Sequence, residues 1–532
     1  MGGGLMQLVA YGAQDVYLTG NPQITFFKVI YRRHTNFAVE SIEQTFQGSA
    51  DFGRRVTATL QRNGDLVTNI YLRVLLPGGT TVNSATSPNG VWAWVSKLGH
   101  SLINSVELNI GGTSIDKQYG DWLNIWYELA RNHNQDRGYA KMIGSTPELT
   151  TLAASHDATT LYIPLYFFHC RNDGLALPLI ALQYHDVRYD FEFRPLEDLL
   201  VTAGFTTSNP GRELGLRFND ASLFVDYVYL DVEERKKFAQ ASHEYLIEEV
   251  QFNGEESVSN NSNKLRLGFN HPVKSLYWGL KLGRYVNPSR TYTFLAYNPS
   301  SIESLQLQAT KRFVLALAKY TVGNQLDLSN NRLQIASGVS AGLTTLFNAA
   351  NAAAITTDPD VDNVTILGTV LDLATVSTPI STLLGSASRP TVGDGKLALD
   401  VVVQQYDNYG VYINGTTNPV AKALLQLNNH DRFSERDGAY FNYVQPWQSH
   451  SNTPADGVNV FSFALNPEEH QPSGTCNFSR IDNATLNLTF GVDGVTDFKT
   501  SYLADDSKLA IYAVNYNVLR IMAGMGGLAY SN

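Results

Sequence analysis

The chain has 532 residues, more than one hydrophobic core normally serves, so two domains are expected. Its 39 Lys and Arg residues against 49 Asp and Glu residues give a net charge of −10. This balance opposes direct binding of nucleic acid, because phosphates are held by positive groups. The 28 Tyr and 25 Phe residues, against 5 Met, favour strands over helical bundles, since aromatic side chains fit a pleated, half-buried surface.

Residues 1–36 open the chain as a segment that cannot bury itself. Up to Phe27 the only charged side chain is Asp15, and no helical stripe organises the apolar residues. Two interpretations stay open: an N-terminal strand and loop tied onto their own domain, or an arm that docks onto a neighbouring subunit.

Residues 37–231 are predicted to form a first β-sandwich, because short alternating runs such as 56–60, 70–76 and 223–230 are separated by turn signals. The one conspicuous helix is predicted over Asp116 to Asn132. Its aromatic stripe is expected to pack on the sandwich, with a ligand-binding patch as the alternative. The stripe contains Tyr119, Trp122, Leu123, Trp126 and Ala130.

Residues 232–532 are predicted to form a second sandwich after a charged stretch, Asp231 to Ser242, which is read as a solvated linker or strand end. The two halves end with the same order of turn and strands, which is a weak internal repeat of the kind that a duplicated jelly roll would leave. A long insertion is predicted at about 283–428, with a short helix at Leu343, Leu346, Phe347 and Ala350.

Motifs for catalysis or metal binding fail on inspection. His243 to Ile247 lacks the second His of a zinc helix, and Asp358 to Asn363 lacks the Gly of a calcium loop. Cys170 and Cys476 have no metal-binding spacing and are expected to be buried thiols, while 524–527 is read as a tightly packed or flexible tail. No enzyme activity, metal or cofactor is expected, and the lack of a signal peptide suggests synthesis in the cytosol.

Several blocks in chain order resemble the major capsid proteins of nucleocytoplasmic large DNA viruses, and algal chloroviruses in particular. They include Leu8 to Phe27, Tyr31 to Ala38, Gly174 to His185, Pro472 to Thr485 and Asn515 to Tyr530. The resemblance implies an all-β fold of two consecutive jelly-roll β-sandwiches, a double jelly roll, with a few short helices and long loops. It further implies a homotrimer that forms a pseudo-hexagonal capsomer and tiles an icosahedral capsid over an inner membrane, after synthesis and assembly in the host cytoplasm.

The resemblance also implies partners: neighbouring capsomers, minor capsid and penton proteins, and a host surface receptor at the outer loops. The arm is expected to lie at the inner end of the trimer, anchored by the charges of Arg32 and Arg33. Its candidate contact residues are Gln7, Tyr11, Asp15, Tyr17, Phe26, Phe27, Tyr31, Arg32 and Arg33. Glycans are implied without sites, and Asn363 and Asn414 are the candidates in the predicted outer loops.

Two other classes stay open on sequence grounds. A jelly-roll carbohydrate-binding protein would stack sugars on exposed aromatic side chains such as Trp92, Trp94 or Trp447. A β-sandwich glycosidase would need two carboxylates at catalytic separation in a cleft.

Overall fold

The computed structural model describes most of the chain outside the predicted insertion. Side chains are described for residues 3–80, 92–150, 153–201, 211–283, 408–411, 415–492, 498–500, 502–503 and 506–530. Strand backbones are described for Thr291–Leu295, Thr365–Ile366, Thr369–Val370, Thr391–Val392 and Lys396–Val402. The predicted helix around Leu343 and the candidate glycosylation sites Asn363 and Asn414 lie outside the described residues.

The first sandwich has two facing antiparallel sheets. One sheet has the strand order Phe37–Thr45, Asp220–Leu230, Leu66–Leu76 and Leu177–Pro178, with Thr159–Pro164 also paired to Leu66–Leu76. The other has the order Arg55–Thr59, Val187–Phe193, Ile103–Ile110 and Thr113–Tyr119. Along Leu66–Leu76, Ile70, Leu72 and Val74 enter the core while Tyr71 and Arg73 face outward, which is the period of two that the sequence predicts. Short pairs join Gly79–Thr80 to Ser155–His156 and Val91–Trp94 to Leu200–Ala203.

The second sandwich repeats this strand order. Its first sheet runs His243–Val258, Ser507–Met522, Pro272–Lys281 and Asn459–Ser462, with Cys476–Asn477 and Met525–Leu528 at its margins. The facing sheet runs Ser262–Arg266, Ala484–Phe490 and Val420–Leu427, which pairs with His430–Asp431 and Arg436–Asp437. In both sandwiches the first strand pairs with the last and the last with the third, so the fold is a double jelly roll. Strand Val420–Leu427 falls inside the range predicted for the insertion, yet it belongs to the sandwich.

Helices occupy the N-terminal segment and the connections between strands. Those of the first half are Gly3–Val9, Ala13–Asp15, Val16–Thr19, Leu98–Leu102, Gly120–Ala130, His133–Gln135, Asp136–Met142, Pro147–Thr150, Phe168–Arg171, Asp173–Leu175, Leu196–Leu199 and Pro210–Leu214. Those that follow are Val232–Gln240, Tyr440–Val444, Gln445–Ser449, Phe478–Arg480 and Lys499–Leu503. The charged linker is therefore a helix, and Asp231 caps it by accepting a hydrogen bond from the Val232 amide at 2.8 Å.

The helix Gly120–Ala130, called the bridging helix, corrects the predicted aromatic element. It begins four residues later than predicted, because Asp116 and Tyr119 belong to the preceding strand. Leu123 enters the core of its own sandwich, whereas Trp122 and Trp126 pack on the second sandwich. The ring centroid of Trp122 lies 5.1 Å from that of Tyr277 and 5.7 Å from that of Tyr512. The stripe therefore joins the two sandwiches instead of covering one.

The end of the chain returns to the first sandwich. Ile247, Leu519 and Ile521 belong to the hydrophobic core of the first sandwich, although their strands form the second. The strand Met525–Leu528 folds back on Ser507–Met522, and a Cβ at Gly526 would lie 2.7 Å from the Leu182 side chain. Of the two interpretations for residues 524–527, the tightly packed one fits.

Replacing Trp122 with Ala should destabilise the protein by about 3 to 5 kcal/mol, because it leaves a cavity between the sandwiches. Thermal unfolding of the purified protein measures this effect, and we expect two separated transitions as the sandwiches lose their coupling. The matched control is Tyr184→Ala, whose side chain is 75% exposed and whose loss should change stability by at most about 0.5 kcal/mol. Equal transition temperatures for Trp122→Ala and the control would refute the coupling role.

Candidate assembly surfaces

The arm, residues 3–36, projects an apolar surface that the rest of the chain does not cover. All its residues are exposed except Asp15, which is partly buried. Tyr17 is 91% exposed, Phe26 88% and Phe27 99%. Burying such a side chain contributes about 1.5 to 3 kcal/mol, and exposed apolar patches of this kind mark interaction sites. The described residues of this segment contain short helices and no strand, and they are not packed on the sandwiches.

Local hydrogen bonds shape the arm without gathering its candidate residues into one site. Asp15 accepts a hydrogen bond from the Gly12 amide at 2.7 Å, and its carbonyl accepts one from the Thr19 hydroxyl at 2.8 Å. The candidates are spread over three short helices, a turn and stretches without regular structure: Gln7, Tyr11, Asp15, Tyr17, Phe26, Phe27, Tyr31, Arg32 and Arg33. Their shared property is exposure, so they form a segment that is available to a partner.

The seam between the sandwiches, where the bridging helix meets the second sandwich, carries a buried ion cluster. Asp121 of the helix pairs with Lys281 of the second sandwich and, at 3.2 Å, with Arg194 of the first. Burial alone would raise the pKa of Asp121, but the two cations outweigh it and lower that pKa to about 2. Removing one partner of such a cluster typically costs about 3 to 5 kcal/mol, because a charge is left buried.

A second ion cluster crosses the seam at Glu248. Its carboxylate accepts hydrogen bonds from Arg171 of the first sandwich at 2.8 Å and from Lys274 at 2.7 Å. Lys274 is fully buried, and burial lowers its pKa against the opposing effect of Glu248. Sequence reasoning missed both clusters, although lysines inside the apolar strand Pro272–Lys281 are a signal of buried partners.

Asp116 adds a third polar link across the seam. It accepts a hydrogen bond from the Val250 amide of the second sandwich at 2.9 Å and one from the Gln118 side chain at 2.9 Å. Burial raises its pKa to about 6, with these hydrogen bonds and Arg171 acting in the opposite direction. The seam is thus fixed by apolar packing together with directional polar contacts.

The second sandwich exposes a helical apolar face. In the consecutive helices Tyr440–Val444 and Gln445–Ser449, Tyr443 is 43% exposed, Val444 40% and Trp447 82%. Trp92 and Trp94, by contrast, are buried in the first core. Two of the three aromatic platforms named for sugar stacking are therefore inaccessible.

Catalytic and metal sites find little support in the geometry. The described ranges hold no group of three or more His, Cys, Asp or Glu side chains arranged for a metal ion. A seam cleft of about 290 Å³ contains Glu192 and Glu255, but Glu192 pairs with Arg55 at 2.7 Å and Glu255 with Lys281 at 3.5 Å. Among the described residues, no helix is both long and apolar enough to cross a bilayer.

Both cysteines are free thiols, as predicted, and both are partly buried. Burial raises the pKa of Cys170 to about 12, so its reactive thiolate form is suppressed.

Comparison with known proteins covers both sandwiches. Residues 25–231 match a family described as "Major capsid protein N-terminus", and residues 234–527 match one described as "Large eukaryotic DNA virus major capsid protein". The major capsid protein of Phaeocystis pouchetii virus is 46% identical over 561 residues, covering 100% of both chains. That of Paramecium bursaria Chlorella virus 1 is 39% identical over 553 residues, also covering 100% of both.

Similarity extends to a solved structure. The crystal structure of PBCV-1 VP54, fitted into a cryo-EM reconstruction of the virophage Sputnik, matches with a TM-score of 0.64 and 34% sequence identity. The match covers 96% of this chain and 100% of that chain.

The Asp116→Asn variant should lack the decrease in the free energy of unfolding that ionisation of Asp116 causes as pH rises from about 4 to about 6. The folded-state pKa of about 6 exceeds the ordinary 3.8, so the folded state binds more protons in this window. Asp116 therefore contributes a fall of about 3 kcal/mol in the free energy of unfolding as pH rises through this window. Urea unfolding at pH 4, 5, 6 and 7 measures the slope.

Asp121→Asn is the matched control, because the pKa of Asp121 is lowered to about 2. The stabilising contribution of Asp121 is complete above about pH 4 and is lost as pH falls towards 2. The Asp121→Asn variant should therefore have a lower free energy of unfolding than the wild type at every pH measured, with the same dependence on pH. An unchanged slope in Asp116→Asn would contradict the assignment.

Proposed function

Since this chain belongs to the family of major capsid proteins of large eukaryotic DNA viruses, we propose that three copies close into a pseudo-hexagonal capsomer. The chain is a structural component of the virion shell and not an enzyme. Neighbouring capsomers then tile an icosahedral capsid over an inner membrane, after synthesis and assembly in the host cytoplasm.

The observation that carries the trimer is the duplication of the sandwich. Both sandwiches have the same strand order, so one chain supplies two similar lobes and three chains supply six. A threefold assembly of such chains presents a nearly hexagonal outline, which can tile a surface by repeated side contacts. In both sandwiches the sheets face each other with apolar residues inside, which leaves the outer faces for contacts between lobes.

The proposed division of the chain follows the same duplication. An arm of residues 1–36 precedes a first jelly roll of residues 37–231 and a second of residues 232–532. The exposure of residues 3–36 and the linker helix Val232–Gln240 support these borders. The insertion predicted at about 283–428 ends before Val420 in this proposal, because strand Val420–Leu427 pairs with Ala484–Phe490.

The arm binds at the inner end of the capsomer in this proposal. Its exposed aromatic residues would be covered there by neighbouring capsomers or by minor capsid and penton proteins, while Arg32 and Arg33 contribute charge. Support comes from the apolar area that the arm leaves uncovered, which needs a partner to be buried.

The loops of the second sandwich, including much of residues 337–395, face outward in this proposal. This position would suit contact with a host surface receptor and glycans, for which Asn363 and Asn414 are the candidates. The support is compositional, since one basic residue, Arg389, occurs among residues 337–395 with five acidic ones.

The native mass of the purified chain, followed by negative-stain imaging, tests the capsomer. We expect a particle with three times the mass of the chain and a hexagonal outline. A monomer at every concentration, with no larger species in the presence of the other capsid proteins, would contradict the proposal.

Trypsin digestion of intact particles beside free subunits tests the placement of the arm and the outer loops. A parallel digestion with endoproteinase Asp-N reports on the outer loops, since trypsin does not cleave the Arg389–Pro390 bond. Cleavage before Asp372 should be equally fast in both samples, because outward loops stay accessible. Cleavage after Arg32 and Arg33 should be fast in free subunits, where both are exposed, and far slower in particles. Protection of Asp372 in particles but not in free subunits, or equal cleavage at Arg32 and Arg33, would contradict the corresponding placement.

A further inference from the structure

The two sandwiches carry equivalent helices at the same point in their strand order. The bridging helix follows strand Thr113–Tyr119, and the helical segment Tyr440–Ser449 follows strand Arg436–Asp437. Both begin beside a glycine without room for a side chain: a Cβ at Gly120 would lie 2.1 Å from the His100 carbonyl oxygen, and one at Gly438 would lie 1.7 Å from that of Val420.

The sequences of the two helices align from these glycines. Leu123 and Phe441, three residues after each glycine, are both fully buried in the core of their own sandwich. Asn124 and Asn442 follow them, and both are buried. The two helices therefore sit in the same orientation on their sandwiches.

The outward faces of the two helices are both rich in apolar and aromatic residues, but only that of the bridging helix is covered. In the bridging helix, the residues at positions 2, 5, 6 and 9 after the glycine are buried against the second sandwich: Trp122, Ile125, Trp126 and Leu129. The same positions in the second helix are also apolar or aromatic: Tyr440, Tyr443, Val444 and Trp447. Tyr440 is partly buried, while the other three are exposed. Residues Tyr440–Val444 form a π-helix, so the face is defined by burial and not by α-helical spacing. Phe441, Asn442, Gln445 and Pro446 are buried on one side, which leaves the apolar side open to a partner.

The surface that receives the bridging helix has an uncovered counterpart. The bridging helix packs on the outer face of a sheet, at Val250, Tyr277 and Tyr512. The equivalent outer face of the first sandwich presents Tyr71 and Phe224, which pair across neighbouring strands, and Tyr162 on the next strand.

These three aromatic residues form one patch on the first sandwich. The rings of Tyr162 and Phe224 are 6.1 Å apart, and Tyr162 is 41% exposed. Arg73 lies at the same face and pairs with Glu43 at 3.1 Å and with Asp220 at 2.7 Å. The patch is thus aromatic and partly open, with Arg73 already paired and the Asp226 carboxylate beside Tyr71.

We infer that the helix Tyr440–Ser449 docks on the Tyr71, Tyr162 and Phe224 face of a second copy of this chain, as the bridging helix docks on its own second sandwich. Each copy then offers one helix and one face, so three head-to-tail contacts close a ring. The inference rests on the trimer proposed above and names the surfaces that form it.

The contact between copies differs from the seam in its electrostatics. Ala439 stands where the bridging helix has Asp121, so the ion pair to Lys281 has no counterpart on the second helix. The interface between copies is therefore mainly apolar, and its affinity should depend little on salt.

Two variants test the helix and the face independently. The helix variant carries Tyr443→Ser and Trp447→Ser, and the face variant carries Tyr162→Ser and Phe224→Ser. Each should weaken the trimer at least ~100-fold in native mass measurements over a dilution series, because central aromatic residues dominate interface affinity. Tyr184→Ser, at a side chain 75% exposed, is the matched control and should stay trimeric. Thermal unfolding verifies folding, and Trp447→Ser alone keeps the test valid if a double variant is unstable, since that side chain is 82% exposed.

Mixing the two variants gives the sharper result. The intact helix of the face variant should bind the intact face of the helix variant, and the blocked surfaces should stop growth at a dimer. A wild-type trimer together with an equally stable trimer of the helix variant overturns this interface but leaves the trimer proposal standing. A wild type that stays monomeric, with no dimer on mixing, overturns both.

Discussion

The packing of the bridging helix on the second sandwich is the contact on which the rest of the molecule depends. A jelly roll buries its core between its two sheets and leaves its outer faces free, so nothing in either sandwich alone fixes the angle between them. Trp122 and Trp126 supply apolar area for that purpose, while Asp121, Glu248 and Asp116 supply directional contacts. Charges buried this deeply are satisfied in one arrangement only, which makes the pair of sandwiches a defined unit instead of two tethered domains.

A defined angle matters for a subunit whose family builds shells. If each chain contributes two lobes to a ring, an error in the angle between lobes is repeated at every copy and prevents closure. The bridging helix makes buried polar contacts across the seam. The corresponding helix of the second sandwich lacks the acidic residue for them, because Ala439 occupies that position. This asymmetry is what an assembling subunit needs, because its internal geometry must be permanent while its external contacts must form and correct themselves.

The strand-rich fold and its duplication could be predicted because period-two patterns and turn residues act over short distances. Leu66–Leu76 and Ala484–Phe490 are examples in which alternation alone identifies the inward face. The helical stripe containing Trp122 and Trp126 was also predicted, but its target was wrong, because an amphipathic pattern does not reveal which surface covers it. Trp92 and Trp94 illustrate the same limit, since sequence does not distinguish a buried tryptophan from an exposed platform.

The ion clusters of the seam depend on residues far apart in the chain, and this separation explains why local patterns missed them. Asp121 and Lys281 are 160 positions apart, and Arg171 and Glu248 are 77 apart. The arm was the opposite case, because a long run with little charge and no amphipathic period predicts that the segment does not bury itself, and its described residues are exposed. Its individual contacts stay predictions, since the partner itself determines them.

The core of the first sandwich contains Ile247, Leu519 and Ile521 from strands of the second. During synthesis the earlier part of a chain normally folds first, but this core stays incomplete until residues near 521 have left the ribosome. Part of the apolar core of the first sandwich therefore stays exposed while nearly three hundred further residues are translated. A subunit built in this way couples completion of its first core to the end of translation, because a chain that stops before Leu519 leaves apolar surface of the first sandwich uncovered.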